Sequence, residues 1–196
     1  MATATKMKKA KMLGETRVRT GEIRCSYVHV FEKYEKSGKY QLHILIDKKD
    51  KTTLDLIKKA VAAAKEKGKN ELWKGKIPGD YASPLSDGDD KDDEAYEGKY
   101  FLSAKNSYRR PRVVQYNDEG VLEDIDDPEE FYSGCYAQVA LTFFPYANSG
   151  HGVGTTIDNI LKTRDGDPLG GGSYSADNDF GDDDDDDGDV AEDDLL

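Results

Sequence analysis

Residues 135–146, CYAQVALTFFPY, carry the pattern that most restricts the fold. Cys135, Ala137, Val139, Leu141 and Phe143 recur at every second position. Tyr136, Gln138, Thr142, Phe144 and Tyr146 fill the alternate positions. A period of two puts successive side chains on opposite faces of a strand, so the first set predicts a core face. The second face is polar and aromatic together. Residues 39–47, KYQLHILID, repeat the pattern, with Tyr40, Leu42, Ile44 and Ile46 alternating with Gln41 and His43.

Three more segments read as strands. TRVRTGEIRCSYVHVF, residues 16–31, is rich in β-branched and aromatic residues and predicts a strand that bends or bulges near Gly21. In residues 99–105, Tyr100, Leu102 and Ala104 share one face, and Lys99, Phe101, Ser103 and Lys105 share the other. GVGTTIDNILKTRDGDPLGGG supplies a last strand and a Gly-rich stop. DKTTLDLIKKAVAAAKEKG, from Asp50 to Gly68, is the one clear helix. Thr52 is its expected cap with Asp55 three residues on, Leu54, Ile57, Val61 and Ala64 form its apolar stripe, and Gly68 is its expected stop. Residues 70–98 and 117–130 read as irregular, acidic connections. The sum is a mainly β chain of about five or six strands with one main α-helix. Antiparallel β with a single internal helix fits a small barrel or twisted sheet, and without βα alternation a doubly wound sheet is not expected.

Charge divides the chain more sharply than the net value of −12 suggests. Residues 173–196 contain twelve acids, including the run Asp182, Asp183, Asp184, Asp185, Asp186 and Asp187, and no Lys or Arg. Such a segment repels itself and buries almost nothing, so it predicts a disordered acidic C-terminal tail, ending in Leu195 and Leu196. Subtracting it leaves 28 acids against 28 bases. Within that neutral body, residues 1–76 hold 20 bases and 9 acids, and residues 98–112 add five bases and no acid. Residues 1–15 read as a flexible basic arm and residues 16–172 as one folded domain. A basic surface of this kind is the electrostatic footprint of a polyanion binder, and also of a plain solvated lysine-rich surface.

Aromatic rings interleaved with Lys and Arg on a sheet face suit single-stranded nucleic acid. Unpaired bases stack on Tyr and Phe at about 1–3 kcal/mol per base, and cations neutralise the phosphates. Arg17, Arg19, Lys99, Phe101, Lys105, Tyr108, Arg109, Arg110, Arg112, Tyr136, Phe144 and Tyr146, on these faces and the basic turn, are the candidate DNA-binding residues. Ordinary β-structure explains the same Tyr and Phe content without a ligand.

Other chemistries find little support. GVGTT lacks the Gly-Lys-Ser/Thr of a P-loop, and DGDDKDDE lacks the glycine at position six and the closing glutamate at position twelve of a calcium loop. His29, His43 and His151 show neither metal spacing nor a nucleophile partner. Asp47 and Asp158 are candidates by location for the strand-end carboxylates of a two-metal nuclease, but such residues are common at strand ends. The reading is therefore a non-enzyme without cofactor or metal. Cys25 and Cys135 lie far apart in sequence, in no CxxC pair, and read as small buried residues in a reducing compartment. The N-terminus has no apolar signal region and no stretch approaches a membrane span, so a cytoplasmic location is expected.

The motifs VRTGEIRCSY, KYQLHILIDKKD, LIKKAVAAAKEKG, WKGKIP, PLSDGD and GKYFLSAKN, with YSGCYAQVAL and DGDPLGG as the most specific, resemble a family of tailed-phage proteins. That family, long labelled a domain of unknown function, is now regarded as phage single-stranded DNA-binding proteins. The resemblance runs from about Arg17 to Gly172. Its plan is also similar to that of the T7-type phage single-stranded DNA-binding protein. It implies an OB-fold barrel that coats single strands during phage replication and recombination, in the host cytoplasm. It also implies a tail that competes with DNA and recruits a phage DNA polymerase, helicase-primase or recombinase. A homodimer is compatible with it, and a membrane partner is not expected. T7-type tails end in an aromatic residue, whereas this chain has Leu195 and Leu196. The alternatives are an acidic chaperone or DNA mimic acting through the tail, and a strand-annealing recombination protein.

Overall fold

The computed structural model describes residues 7–170, so the tail and the first six residues lie outside the described residues. In chain order it contains β1 (Lys11–Met12), β2 (Arg17–Arg19), β3 (Ile23–Tyr34), β4 (Lys39–Asp47), α1 (Lys51–Glu71), β5 (Tyr81–Ala82) and β6 (Leu85–Asp87). Then follow β7 (Lys99–Asn106), β8 (Arg112–Tyr116), β9 (Leu122–Asp124), β10 (Tyr136–Tyr146) and β11 (His151–Arg164). Six of the eleven strands have five or more residues; five of them fall in the segments that read as strands in the sequence, and β8 does not. The others are two or three residues long and escape any periodic reading. Two of them, with 3₁₀ turns at Gly88–Asp90 and Glu94–Tyr96, give structure to the 70–98 region expected to be irregular.

Hydrogen-bonded neighbours run β6-β7-β4-β3-β10-β11-β8-β9. This sheet curls but does not close: β7 and β11 come side by side with no ladder between them. Asn106 spans that seam, its buried Nδ2 donating to the Ile157 carbonyl at 3.0 Å. The pairing is mostly antiparallel, as expected, but β8 and β5 each run parallel to β11. β10 lies between β8 and β11 in sequence and turns the chain round before β11 begins.

The alternation in residues 135–143 holds: Cys135, Ala137, Val139, Leu141 and Phe143 are all buried. Leu54, Ile57, Ala60 and Ala64 of α1 join them in one core. A Leu141→Ala truncation in such a core costs about 2–5 kcal/mol. Gln138, read as outward-facing, is also buried, because the N-terminal arm covers it. Its Nε2 donates to the Lys8 and Thr20 carbonyls at 2.6 and 2.9 Å, and Lys8 N donates back at 2.8 Å. The described part of the arm is thus laid along β10 rather than free.

Two helix expectations are corrected. Asp50, not Thr52, caps α1, its Oδ1 accepting from Thr53 N at 3.0 Å. Gly68 is no stop: it sits inside α1, buried, where a Cβ would come 2.7 Å from both Pro145 Cβ and the Trp73 ring. The glycine lets the helix approach β10 closely. The 16–31 segment also divides, into β2 and β3 around Gly21, whose amide donates to Thr53 Oγ1 at 2.9 Å. The bulge in β3 comes later, at Tyr27.

Cys25 and Cys135 are brought together, Cys25 N donating to the Cys135 carbonyl at 2.8 Å. Burial pushes both thiols up, so both are protonated and serve as packing. Among the described residues no helix is long and apolar enough to cross a membrane.

Candidate nucleic-acid interface

A groove of about 560 Å³ opens along the seam between β7 and β11. Phe101, Ser103, Lys105 and Tyr108 form one wall, and Phe144, Tyr146, Gly154 and Thr155 form the other. Lys39 and Ser86 also line it. The alternation of β7 makes the first wall: Leu102, Ala104 and Asn106 turn inward, so Phe101, Ser103 and Lys105 face the groove.

The second wall rests on two glycines. Phe144 pairs with Gly154 across the β10–β11 ladder, and Tyr146 pairs with Gly152. A Cβ on Gly154 would lie 2.5 Å from Phe144 Cζ, and one on Gly152 would lie 2.8 Å from Tyr146 Oη. The missing side chains leave room for each ring to lean across the partner strand. Phe144 remains 42% exposed there. The sequence GVG, empty of meaning as a phosphate loop, is the half of this arrangement that sequence reasoning missed. Its signal was FPY opposite GVG across one tight hairpin. Thr155 Oγ1 is the one buried side-chain polar atom without a hydrogen-bond partner among the described residues, and its residue lines the groove.

Tyr108 is fully exposed at the rim. The turn presenting it is fixed by Asn106, whose Oδ1 accepts from Tyr108 N and Arg109 N at 3.1 and 2.9 Å. Of the twelve residues selected from the sequence, the structure gathers Phe101, Lys105, Tyr108, Phe144 and Tyr146 around the groove, with Arg109 next to Tyr108. The remaining ones are placed differently. Lys99 donates to the Glu97 carbonyl at 3.2 Å. Arg17 pairs with Asp158 at 2.8 Å, Arg110 with Asp126 at 2.8 Å and Arg112 with Asp124 at 2.5 Å. Arg19 donates to the Lys9 carbonyl. Tyr136 is flanked by Arg24 and Arg164, 5.5 and 3.4 Å from its ring centre. Acids distant in sequence thus occupy most of the arginines that charge counting had left free. Asp158, expected at a strand end, lies in the middle of β11 and accepts from Thr142 Oγ1 at 2.7 Å, and Asp47, at the end of β4, accepts from Lys49 N at 2.8 Å, so both carboxylates have structural partners.

Beyond Phe101 the aromatic surface continues over the outer face of β4 and β3. The His43 ring stacks on Phe101 at 5.8 Å, and Tyr27 lies 4.7 Å beyond His43. Tyr96, fully buried, meets Phe101 edge-on at 5.1 Å and places its Oη 2.8 Å from His43 Nδ1. Desolvation first, then Lys91 and Lys105, lowers His43 to about 4, so the ring is neutral near pH 7.

Residues 16–191 match the family described as Enterobacter phage Enc34, ssDNA-binding protein. The chain belongs to this Enc34-type phage single-stranded DNA-binding family. The chain is also similar to a putative protein p50 of Acyrthosiphon pisum secondary endosymbiont phage 1, 31% identical over 85% of this chain and 93% of the relative. The single-stranded DNA-binding protein of bacteriophage Enc34, solved in complex with ssDNA, superposes with a TM-score of 0.65 at 25% identity, covering 84% of this chain and 99% of that one. Gp2.5, a single-stranded DNA-binding protein of bacteriophage T7, shares the fold with a TM-score of 0.57 at 16% identity, covering 93% and 100% of the two chains.

Proposed function

We propose that this protein binds single-stranded DNA without sequence preference, and that it coats strands exposed during phage replication and recombination. The observation that carries the reading is the groove itself: Phe101 and Lys105 on one wall face Phe144 and Tyr146, backed by glycines, on the other. Rings without directional polar partners accept any base, and Lys39 and Lys105 supply phosphate contacts beside them. The Enc34 protein solved with ssDNA supports this assignment by its likeness. Binding, not catalysis, is the role the groove serves.

The acidic stretch from Asp182 to Asp187 acts in this reading as a polyanion that competes with DNA. Once displaced, it and the Leu195–Leu196 pair recruit a polymerase, helicase-primase or recombinase. Residues 16–172 form the DNA-binding unit.

Titration with a fluorescent dT oligomer and a matched duplex, across salt concentrations, tests the assignment. Tight salt-dependent binding of dT and weak binding of duplex are expected. Phe144→Ala should weaken dT binding about tenfold, within the range for one lost stack. Lys105→Gln should flatten the salt slope by about 0.7. Equal binding of duplex and dT by the wild type would refute the assignment.

A further inference from the structure

The acidic segment 87–94, DGDDKDDE, contains a single cation, Lys91. Three of its six acids are engaged locally. Asp87 and Asp89 hold Lys48 at 2.6 and 2.5 Å, Asp89 accepts from Gly98 N, and Asp93 accepts from Ala95 N. Gly88 packs so tightly that a Cβ would meet the Tyr96 carbonyl. The segment is thereby clamped on the sheet with Lys91 held over the aromatic surface. Its ammonium lies 4.0 Å from the ring centre of Tyr96, 5.0 Å from Tyr27 and 5.3 Å from Phe101. Among the described residues it has no carboxylate partner within ion-pair distance, unlike Lys48 a short way off.

Tyr27 is the second anomaly. It stands in the β3 bulge at φ +47°, a strained conformation for a bulky residue, and is nearly half exposed. Strain of this kind persists where surrounding structure fixes it, and it concentrates at ligand sites. Here it turns the ring onto His43, which is stacked on groove-lining Phe101. Tyr27 is therefore the outer end of a row of rings that starts inside the groove.

We infer that Tyr27 and Lys91 form a separate nucleotide position outside the groove, where a base of the same strand stacks on Tyr27 and its phosphate takes the Lys91 ammonium. The inference rests on the proposed single-stranded DNA binding and adds the direction in which the strand leaves the groove. A ring-bound ammonium without a carboxylate loses little by turning to a phosphate, whereas an ion-paired lysine would have to break a contact.

The test uses the full chain and two dT oligomers, one just filling the groove and one several nucleotides longer. Tyr27→Asn keeps a residue tolerant of positive φ, so folding is preserved. It should weaken the longer oligomer about tenfold and leave the shorter one unchanged. Lys91→Gln should lower the salt slope for the longer oligomer alone by about 0.7. Photo-cross-linking with iodouracil at the end of the longer oligomer should label Tyr27. If both variants bind the longer oligomer like the wild type while Phe144→Ala still weakens it, the position is wrong and the groove stands. Equal losses for both oligomers would also overturn it, by making Tyr27 part of the groove. If wild-type protein binds neither oligomer, the underlying reading fails with it.

Discussion

The indole Nε1 of Trp73 donates to the Tyr146 carbonyl at 3.1 Å, joining the turn after α1 to the strand that carries one wall of the groove. Trp73 is the only tryptophan of the chain and is buried against Gly68 and Tyr81.

That contact makes Trp73 an intrinsic reporter. Occupation of the groove should shift or quench its fluorescence in proportion to DNA bound. Tyr146→Ala should reduce the response at saturation. An emission spectrum unchanged at saturating oligomer, with binding verified by anisotropy, would contradict the coupling.

Gly68→Ala should destabilise the protein by about 1–3 kcal/mol, read as a lower urea midpoint. In an exposed helix the same change would stabilise by about 0.5–1 kcal/mol, because glycine costs backbone entropy. The sign reverses because the new methyl meets Pro145 and Trp73.

Gly154→Val should push Phe144 out of its place and weaken single-stranded DNA binding by roughly the tenfold expected of Phe144→Ala. The double variant should bind no worse than either single one, since both remove the same stack. Additive losses in the double-mutant cycle would show that Gly154 acts elsewhere.

Stability should fall as pH drops from about 6.5 to about 4. Burial and the nearby Lys91 and Lys105 depress His43 to about 4 in the folded chain, while the unfolded side chain takes its proton near 6.5. In that window the unfolded state binds more protons, so stability is present above it and lost on acidification. His29, also lowered by burial, adds in the same direction. Thermal melts of His43→Phe against wild type should show a shallower loss across this range, and parallel curves would exclude His43 as the source.

The alternation in CYAQVALTFFPY and KYQLHILID made the central strands and their core faces legible, because a period of two states which side is dry. It failed at Gln138, where the covering element is an arm more than a hundred residues away in sequence. Charge counting found the basic body but not which arginines are free. The partners of Arg17, Arg110 and Arg112 are supplied by Asp158, Asp126 and Asp124, and only the fold brings them near. Phe101, Phe144 and Tyr146 were readable from strand parity. His43 was on the outer face by the same parity, but Tyr27 and Lys91 were not readable, since a bulge breaks the parity of β3 and the lysine hides in an acidic run.

The seam between β7 and β11, spanned by the Asn106 side chain, has a consequence for what the groove can hold. Two walls tied by a ladder keep a fixed gauge, because every change in spacing stretches several backbone hydrogen bonds at once. On the proposed reading, walls joined without a ladder, by core packing and the Asn106 amide, take a purine or a pyrimidine while the backbone pairing of both strands stays whole. Indifference to base size is then built into the topology, alongside the indifference to base identity that the rings provide.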